Sequence, residues 1–142
     1  MAFDPRRASV GDELPAVRKG PITREDLKAY GAASGDPNPM HLDDEFARNA
    51  GHPGVFAHGM LSMGYLGELL VRTVGVGGVR RFKTRFARLT WPGDVITCRG
   101  TVTAVRDEGE HRVLECDIWT ENQDGERKLT GNATLAVPRE RR

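Results

Sequence analysis

Residues 56–64 read Phe56-Ala57-His58-Gly59-Met60-Leu61-Ser62-Met63-Gly64, and they open the longest helical pattern of the chain. Leu61, Met63, Leu66, Leu69 and Leu70 place apolar side chains around much of the helix surface, as a buried helix requires. Gly59, at the entry, lets another group approach the backbone closely. Amides at a helix start point at whatever lies in front of them, with roughly half a positive charge behind them, so an oxyanion could rest there. This helix, beginning near Ala57, is expected to be the longest and most buried element.

Beyond Gly75-Val76-Gly77-Gly78 the apolar period changes from helical to alternating. Residues 80–89, 94–105, 112–120 and 128–137 read as strands, separated by Pro92-Gly93-Asp94, Asp107-Glu108-Gly109-Glu110 and the cluster at 122–125. Strands joined by such short turns are antiparallel. Cys98 and Cys116 fall on the apolar alternation of two of them and read as buried, reduced thiols. Toward the N-terminus, the first residues through about 19 read as a loose arm followed by a short extended segment. Pro21-Ile22-Thr23 then starts a helix, capped by Thr23, with Glu25 and Asp26 in its first turn and Leu27, Tyr30 and Ala33 on its inner side. Residues 43–50 read as a short helix ending at Gly51. The expected class is α+β, with one long helix wrapped by a curved antiparallel sheet.

A chain of 142 residues suits one domain, here 1–142 with loose termini at 1–10 and 138–142. With 21 basic and 20 acidic residues, the net charge of +1 gives no reason to expect nucleic acid. The opening MAFDPRRASVGDELP lacks the apolar run of a signal peptide, and no later segment has the length and apolarity of a bilayer span. The cytoplasm is the expected compartment.

The densest chemistry lies just before the long helix, in Asp36-Pro37-Asn38-Pro39-Met40-His41. Two prolines of fixed φ and a turn-forming Asn stiffen the loop, which holds Asp36 and His41 at a defined separation. A carboxylate that orients an imidazole titrating near working pH is the minimal apparatus for acid-base work. The same residues also describe an ordinary capped loop. His58 reads either as a packed or capping histidine or as a reactive one, and His52 and His111 read as surface residues. No two histidines have zinc-ligand spacing with a third ligand nearby, so no metal is expected. Arg81, Lys83 and Arg85 alternate with Phe82, Thr84 and Phe86, which sets three cations on one strand face. That row reads either as solvated surface or as an electrostatic landing for phosphates or an acidic carrier protein.

Ser34-Gly35-Asp36-Pro37-Asn38-Pro39-Met40-His41 with Ala47 after it, followed by Ala57 to Gly64, resembles the (R)-specific enoyl thioester hydratases, the MaoC-like dehydratases of the hot-dog fold. Phe82-Lys83-Thr84-Arg85-Phe86 running into Trp91-Pro92-Gly93-Asp94 is similar to the strand and turn that follow that family's central helix. Residues 131–137 resemble its last strand. Ala33 and Met40 depart from its usual residues. The resemblance implies hydration of trans-2-enoyl thioesters to (3R)-3-hydroxyacyl thioesters, or the reverse, in fatty-acid metabolism. It gives the catalytic dyad to Asp36 and His41, its support to Ser62, the oxyanion amide to Gly59 and the hold on the loop to Asn38, with no cofactor. Expected partners are acyl-CoA or acyl carrier protein thioesters and a second subunit, a homodimer by default or a heterodimer with a paralogue such as the fatty-acid-elongation dehydratases form. Two alternatives stand beside this: a hot-dog acyl thioesterase, and a non-catalytic acyl-binding subunit.

Overall fold

Thr23 opens the first helix by a reciprocal pair of bonds. Its Oγ1 accepts from Asp26 N at 3.1 Å while the Asp26 carboxylate accepts from Thr23 N at 2.8 Å, a capping box that satisfies two otherwise unpaired amides. The computed structural model describes residues 3–140, and in it this helix, α1 (Arg24–Ser34), follows a short strand, β1 (Val17–Lys19). α1 ends at Gly35, whose φ of +72° is the left-handed conformation that glycine adopts without strain. A short 3-10 turn (Pro39–His41), α2 (Asp44–Asn49) and the long α3 (Gly59–Val74) come next. Four long strands complete the chain: β2 (Val79–Phe86), β3 (Ile96–Glu108), β4 (His111–Glu121) and β5 (Arg127–Pro138). Each predicted strand is present, with ends shifted by one to three residues.

The strands form one curved antiparallel sheet in the order β1-β3-β4-β5-β2, leaving β1 and β2 as edges. β3 and β4 meet through a two-residue turn in which Gly109 has a φ of +59°, the positive value that tight hairpins demand. β2 lies so close to β5 that a Cβ on Gly131 would strike the Lys83 carbonyl, and only glycine fits there. α3 crosses the concave side. Leu66, Leu69 and Leu70 are completely buried against Ile96, Cys98, Val102, Leu114, Cys116, Ile118, Ala133 and Leu135. Truncating any of these leucines to Ala would cost about 2–5 kcal/mol. Both cysteines are free and buried, and loss of solvent pushes each thiol up to about 12. Among the described residues no helix is long and apolar enough to cross a membrane.

Three expectations need correction. The arm at 1–10 is not loose over its described part: Ala8 is 2% exposed and Phe3 packs on the core. Just beyond it, Gly11 N donates to Val102 O at 2.8 Å and Leu14 N to Gly100 O at 2.9 Å, so the segment lies along β3. Isolated apolar residues among many charges gave no periodic signal there, yet Phe3, Ala8 and Leu14 all join the core. At the other end, Pro138 closes β5 opposite His111 and Arg139 N donates to Glu110 O, so 138 is not loose either; residues 1–2 and 141–142 lie outside the described part. Ala33 is exposed, and the buried residue one turn beyond Leu27 is Gly31.

Candidate active site

The loop after α1 is held by its own side chains. Asn38 Oδ1 accepts from Met40 N at 3.0 Å and caps the turn that carries His41, while Asp36 Oδ1 accepts from Asn38 N at 3.4 Å. His41 N donates to Asn38 O at 3.0 Å. This bonding turns His41 inward, where it is 9% exposed, and leaves Asp36 on the exposed side of the loop.

The His41 ring has a defined tautomer. Its Nδ1 lies 2.6 Å from the Phe56 carbonyl, which can only accept, so Nδ1 carries the proton and Nε2 of the neutral ring presents a lone pair. Burial lowers the pKa of His41; His58 lowers it further, against the Phe56 bond and Asp36, which raise it. The imidazole is thus neutral at neutral pH. A ring nitrogen of His41 and a carboxylate oxygen of Asp36 lie within 4.8 Å, a gap that one water spans with two hydrogen bonds of about 2.8 Å each. A cleft of about 290 Å³, lined by Arg24, Glu25, Lys28, His41, Leu42 and Val55, opens beside the ring.

His58 belongs to this cluster. It is 2% exposed and its ring stacks on His41 with centroids 3.9 Å apart and planes 28° apart. Its Nε2 donates to the Asp36 backbone carbonyl at 3.1 Å, and Tyr30 meets its ring edge-on at 4.9 Å. Gly31 makes room, since a Cβ there would lie 3.1 Å from Asp36 O and 3.6 Å from His58 Nε2. Asp36, His41 and His58 therefore do come together as three potential metal ligands, which sequence spacing did not anticipate. A shared ion would have to lie in both imidazole planes about 2 Å from each nitrogen. The planes of rings stacked in this way converge well away from their nitrogens, so the arrangement suits a packed pair better than two ligands of one ion.

Gly59 is the first residue of α3, and His58, at the capping position, makes no side-chain bond to the helix amides. The group that approaches Gly59 is the ring of Phe86, which a Cβ would meet at 3.1–3.2 Å. Ser62 is buried one turn further on, but among the described residues no hydrogen bond joins it to Asp36 or His41. Arg81, Lys83 and Arg85 are all exposed on the edge strand β2. Phe82 and Phe86, which alternate with them, contact Gly67 and Gly59 of α3, so the cations face away from the helix and from the histidines. His52 packs half-buried against Phe56, and His111 sits half-buried at the β3–β4 turn. Sequence reasoning missed the Phe56 carbonyl, because any residue type supplies one. It also missed Gly31, whose only signal is a glycine within a helical pattern four residues before the loop.

With the geometry in view, the likeness to known proteins is specific. Residues 6–122 match the MaoC-like domain, and the chain belongs to that family. It is 31% identical over 115 residues to the (R)-specific enoyl-CoA hydratase of Aeromonas caviae, covering 80% of this chain and 84% of that protein. A match of 29% over 126 residues to the fatty acid synthase subunit beta of Aspergillus oryzae spans only 6% of that much longer protein. Among solved structures, the unliganded R-hydratase PhaJ1 from Pseudomonas aeruginosa superposes with a TM-score of 0.82 at 26% identity, covering 98% of this chain and 88% of that one. The (R)-hydratase of Aeromonas caviae involved in PHA biosynthesis gives 0.81 at 27%, covering 93% and 98%. The fold is the hot-dog fold.

Proposed function

We propose that this chain is a hydro-lyase that reversibly adds water across the 2,3-double bond of trans-2-enoyl thioesters, giving (3R)-3-hydroxyacyl thioesters in fatty-acid metabolism. The observation that carries the reading is the 2.6 Å bond from His41 Nδ1 to the Phe56 carbonyl, which leaves Nε2 of a neutral imidazole free to accept a proton, in a ring with one nitrogen within 4.8 Å of an Asp36 carboxylate oxygen. In the hydration direction the dyad holds one water. Its oxygen bonds to C3 as a proton passes to the dyad, the π electrons move to C2 and the thioester oxygen, and the dyad returns a proton to C2 on the same face. Negative charge on the thioester oxygen is received by the Gly59 amide at the start of α3, a contribution of about 3–4 kcal/mol if it equals other single oxyanion donors. Asn38 keeps the loop in shape, and Ser62 supports the dyad from the helix.

Substrates of either carrier, coenzyme A or an acyl carrier protein, fit this chemistry. We also infer a dimer in a cytoplasmic setting. Met60 and Phe86 are more than half exposed at 54% and 55%, and Leu89 lies close by, since its neighbour Thr90 accepts from Ala57 N at 2.8 Å. A second copy, or a paralogous subunit, would cover this apolar patch beside the proposed oxyanion amide. The deciding experiment is hydration of crotonyl-CoA and longer trans-2-enoyl thioesters by the purified protein, with chiral analysis of the product. A (3S) product, or thioester hydrolysis in place of hydration, would overturn the reading.

A further inference from the structure

The His58 ring touches both Asp36 and His41 without being assigned a part in the reaction. It is nearly inaccessible, and its Nδ1 is buried with no hydrogen-bond partner, a situation that native interiors rarely tolerate. A purely space-filling role would be met by a phenyl ring, which strands no polar atom. What the imidazole adds is a donor at one edge and an aromatic face at the same time. Nε2–H binds the carbonyl of Asp36, and the face stacks on the ring of His41. Tyr30 on α1 and the bare backbone at Gly31 fix the ring from the far side.

We propose that His58 is a positioning residue for the hydratase reaction: it pins the Asp36 backbone with one ring nitrogen and sets the plane of the His41 ring with its face, keeping acid and base one water apart. The proposal rests on the hydratase reading above. Its two functions separate by substitution. His58→Phe keeps an aromatic face and removes the donor, whereas His58→Gln keeps a donor and removes the stack. Each is expected to lower kcat about tenfold, with KM changed less than about twofold, because small displacements of positioned groups act on turnover more than on binding. His58→Ala loses both and falls about a hundredfold.

NMR of the imidazole signals supplies a second readout of the contact between the two rings, while the split between kcat and KM carries the test of positioning. The charged and titratable groups around His41 are the Asp36 carboxylate on its own loop, His58 before α3, and Arg24, Glu25 and Lys28 along the cleft on α1. Only His58 changes in these variants, and in His58→Phe the His41 titration is expected to move to higher pH as its stacked, protonatable neighbour disappears. In the wild type, the His58 ring N–H should exchange with solvent far more slowly than that of His111. Folded Phe and Gln variants with wild-type kcat and an unmoved His41 titration would overturn the proposal. Where a variant fails to fold by circular dichroism, the wild-type exchange rate decides, and a His58 N–H that exchanges as fast as that of His111 overturns it. Should the wild type prove inactive on enoyl thioesters, the hydratase reading falls, while the His41 titration in the variants and the wild-type His58 exchange rate still test whether the two rings act on each other as the stack requires.

Discussion

The loop and helix entry at residues 36–62 and the outward face of β2 both carry charged or titratable side chains in a regular pattern, yet they differ in what faces them. His41 has a carbonyl on one nitrogen, a stacked ring over one face and a carboxylate within 4.8 Å. Arg81, Lys83 and Arg85 are exposed on an edge strand with their backs to α3. Pattern alone made both regions candidates. Partners, and the burial that gives them weight, separate the two, because a hydrogen bond or charge in a water-poor site acts far more strongly than one in bulk solvent.

The sharpest way to break this contrast is to remove the dyad. Asp36→Asn and His41→Gln are each expected to lower turnover by about a hundredfold or more, the usual scale for a lost acid-base group, with little change in thermal unfolding. Near-native hydration by either variant would strike that residue from the mechanism. The same burial predicts a pH profile. Because His41 must be neutral to accept a proton and its pKa is lowered, activity should persist below the ordinary histidine range and fall only as pH drops through the lowered value. A kcat/KM profile whose acid limb lies above pH 6.5, the ordinary value, would show that burial does not control the base.

A smaller effect is expected at the helix entry. Gly59→Ala brings a Cβ within 3.1 Å of the Phe86 ring, and overpacking of this kind costs about 1–3 kcal/mol. The backbone amide survives the change, so activity lost with the fold should return in the double variant Gly59→Ala with Phe86→Ala. If the double variant is stable and still inactive, the glycine serves the substrate's approach, not the phenyl ring's.

Much of the fold was legible because its signals are local: the capping residue at Thr23, the apolar surface of α3, strand alternation, and glycines at the hairpin turns. The site was legible only where chemistry is written in side chains, as at Asp36, Asn38 and His41. Its remaining parts are the carbonyls of Phe56 and Asp36 and the space at Gly31, and backbone carbonyls carry no residue signature. His58 was noticed but left between roles, because stacking on His41 depends on a contact between two segments 17 residues apart. The N-terminal arm was misjudged for a related reason: Phe3, Ala8 and Leu14 are too sparse to show a period, and only the sheet reveals what they pack against. Ser62 is buried in α3, and among the described residues no hydrogen bond joins it to Asp36 or His41, so the supporting part that the resemblance implies has no bond behind it here.

The smallest effect is expected at the basic row, and it tests the other side of the comparison. Arg81, Lys83 and Arg85 pair across the strand with Thr134, Asn132 and Thr130 of β5, and their outward direction points them away from the reacting groups. Changing all three to Gln should therefore leave turnover on short N-acetylcysteamine thioesters unchanged. If the row guides a phosphate-bearing or protein-bound substrate, KM for that substrate should rise a fewfold at low salt. The difference should vanish as salt is added, because such exposed charges are screened over about 8 Å at physiological ionic strength. No change with any substrate would make the row a solvated face. Equal loss with both substrate classes would instead mean that β2 needs these side chains for the sheet edge or the dimer, and the contrast between the buried, bonded histidine and the exposed row would no longer hold.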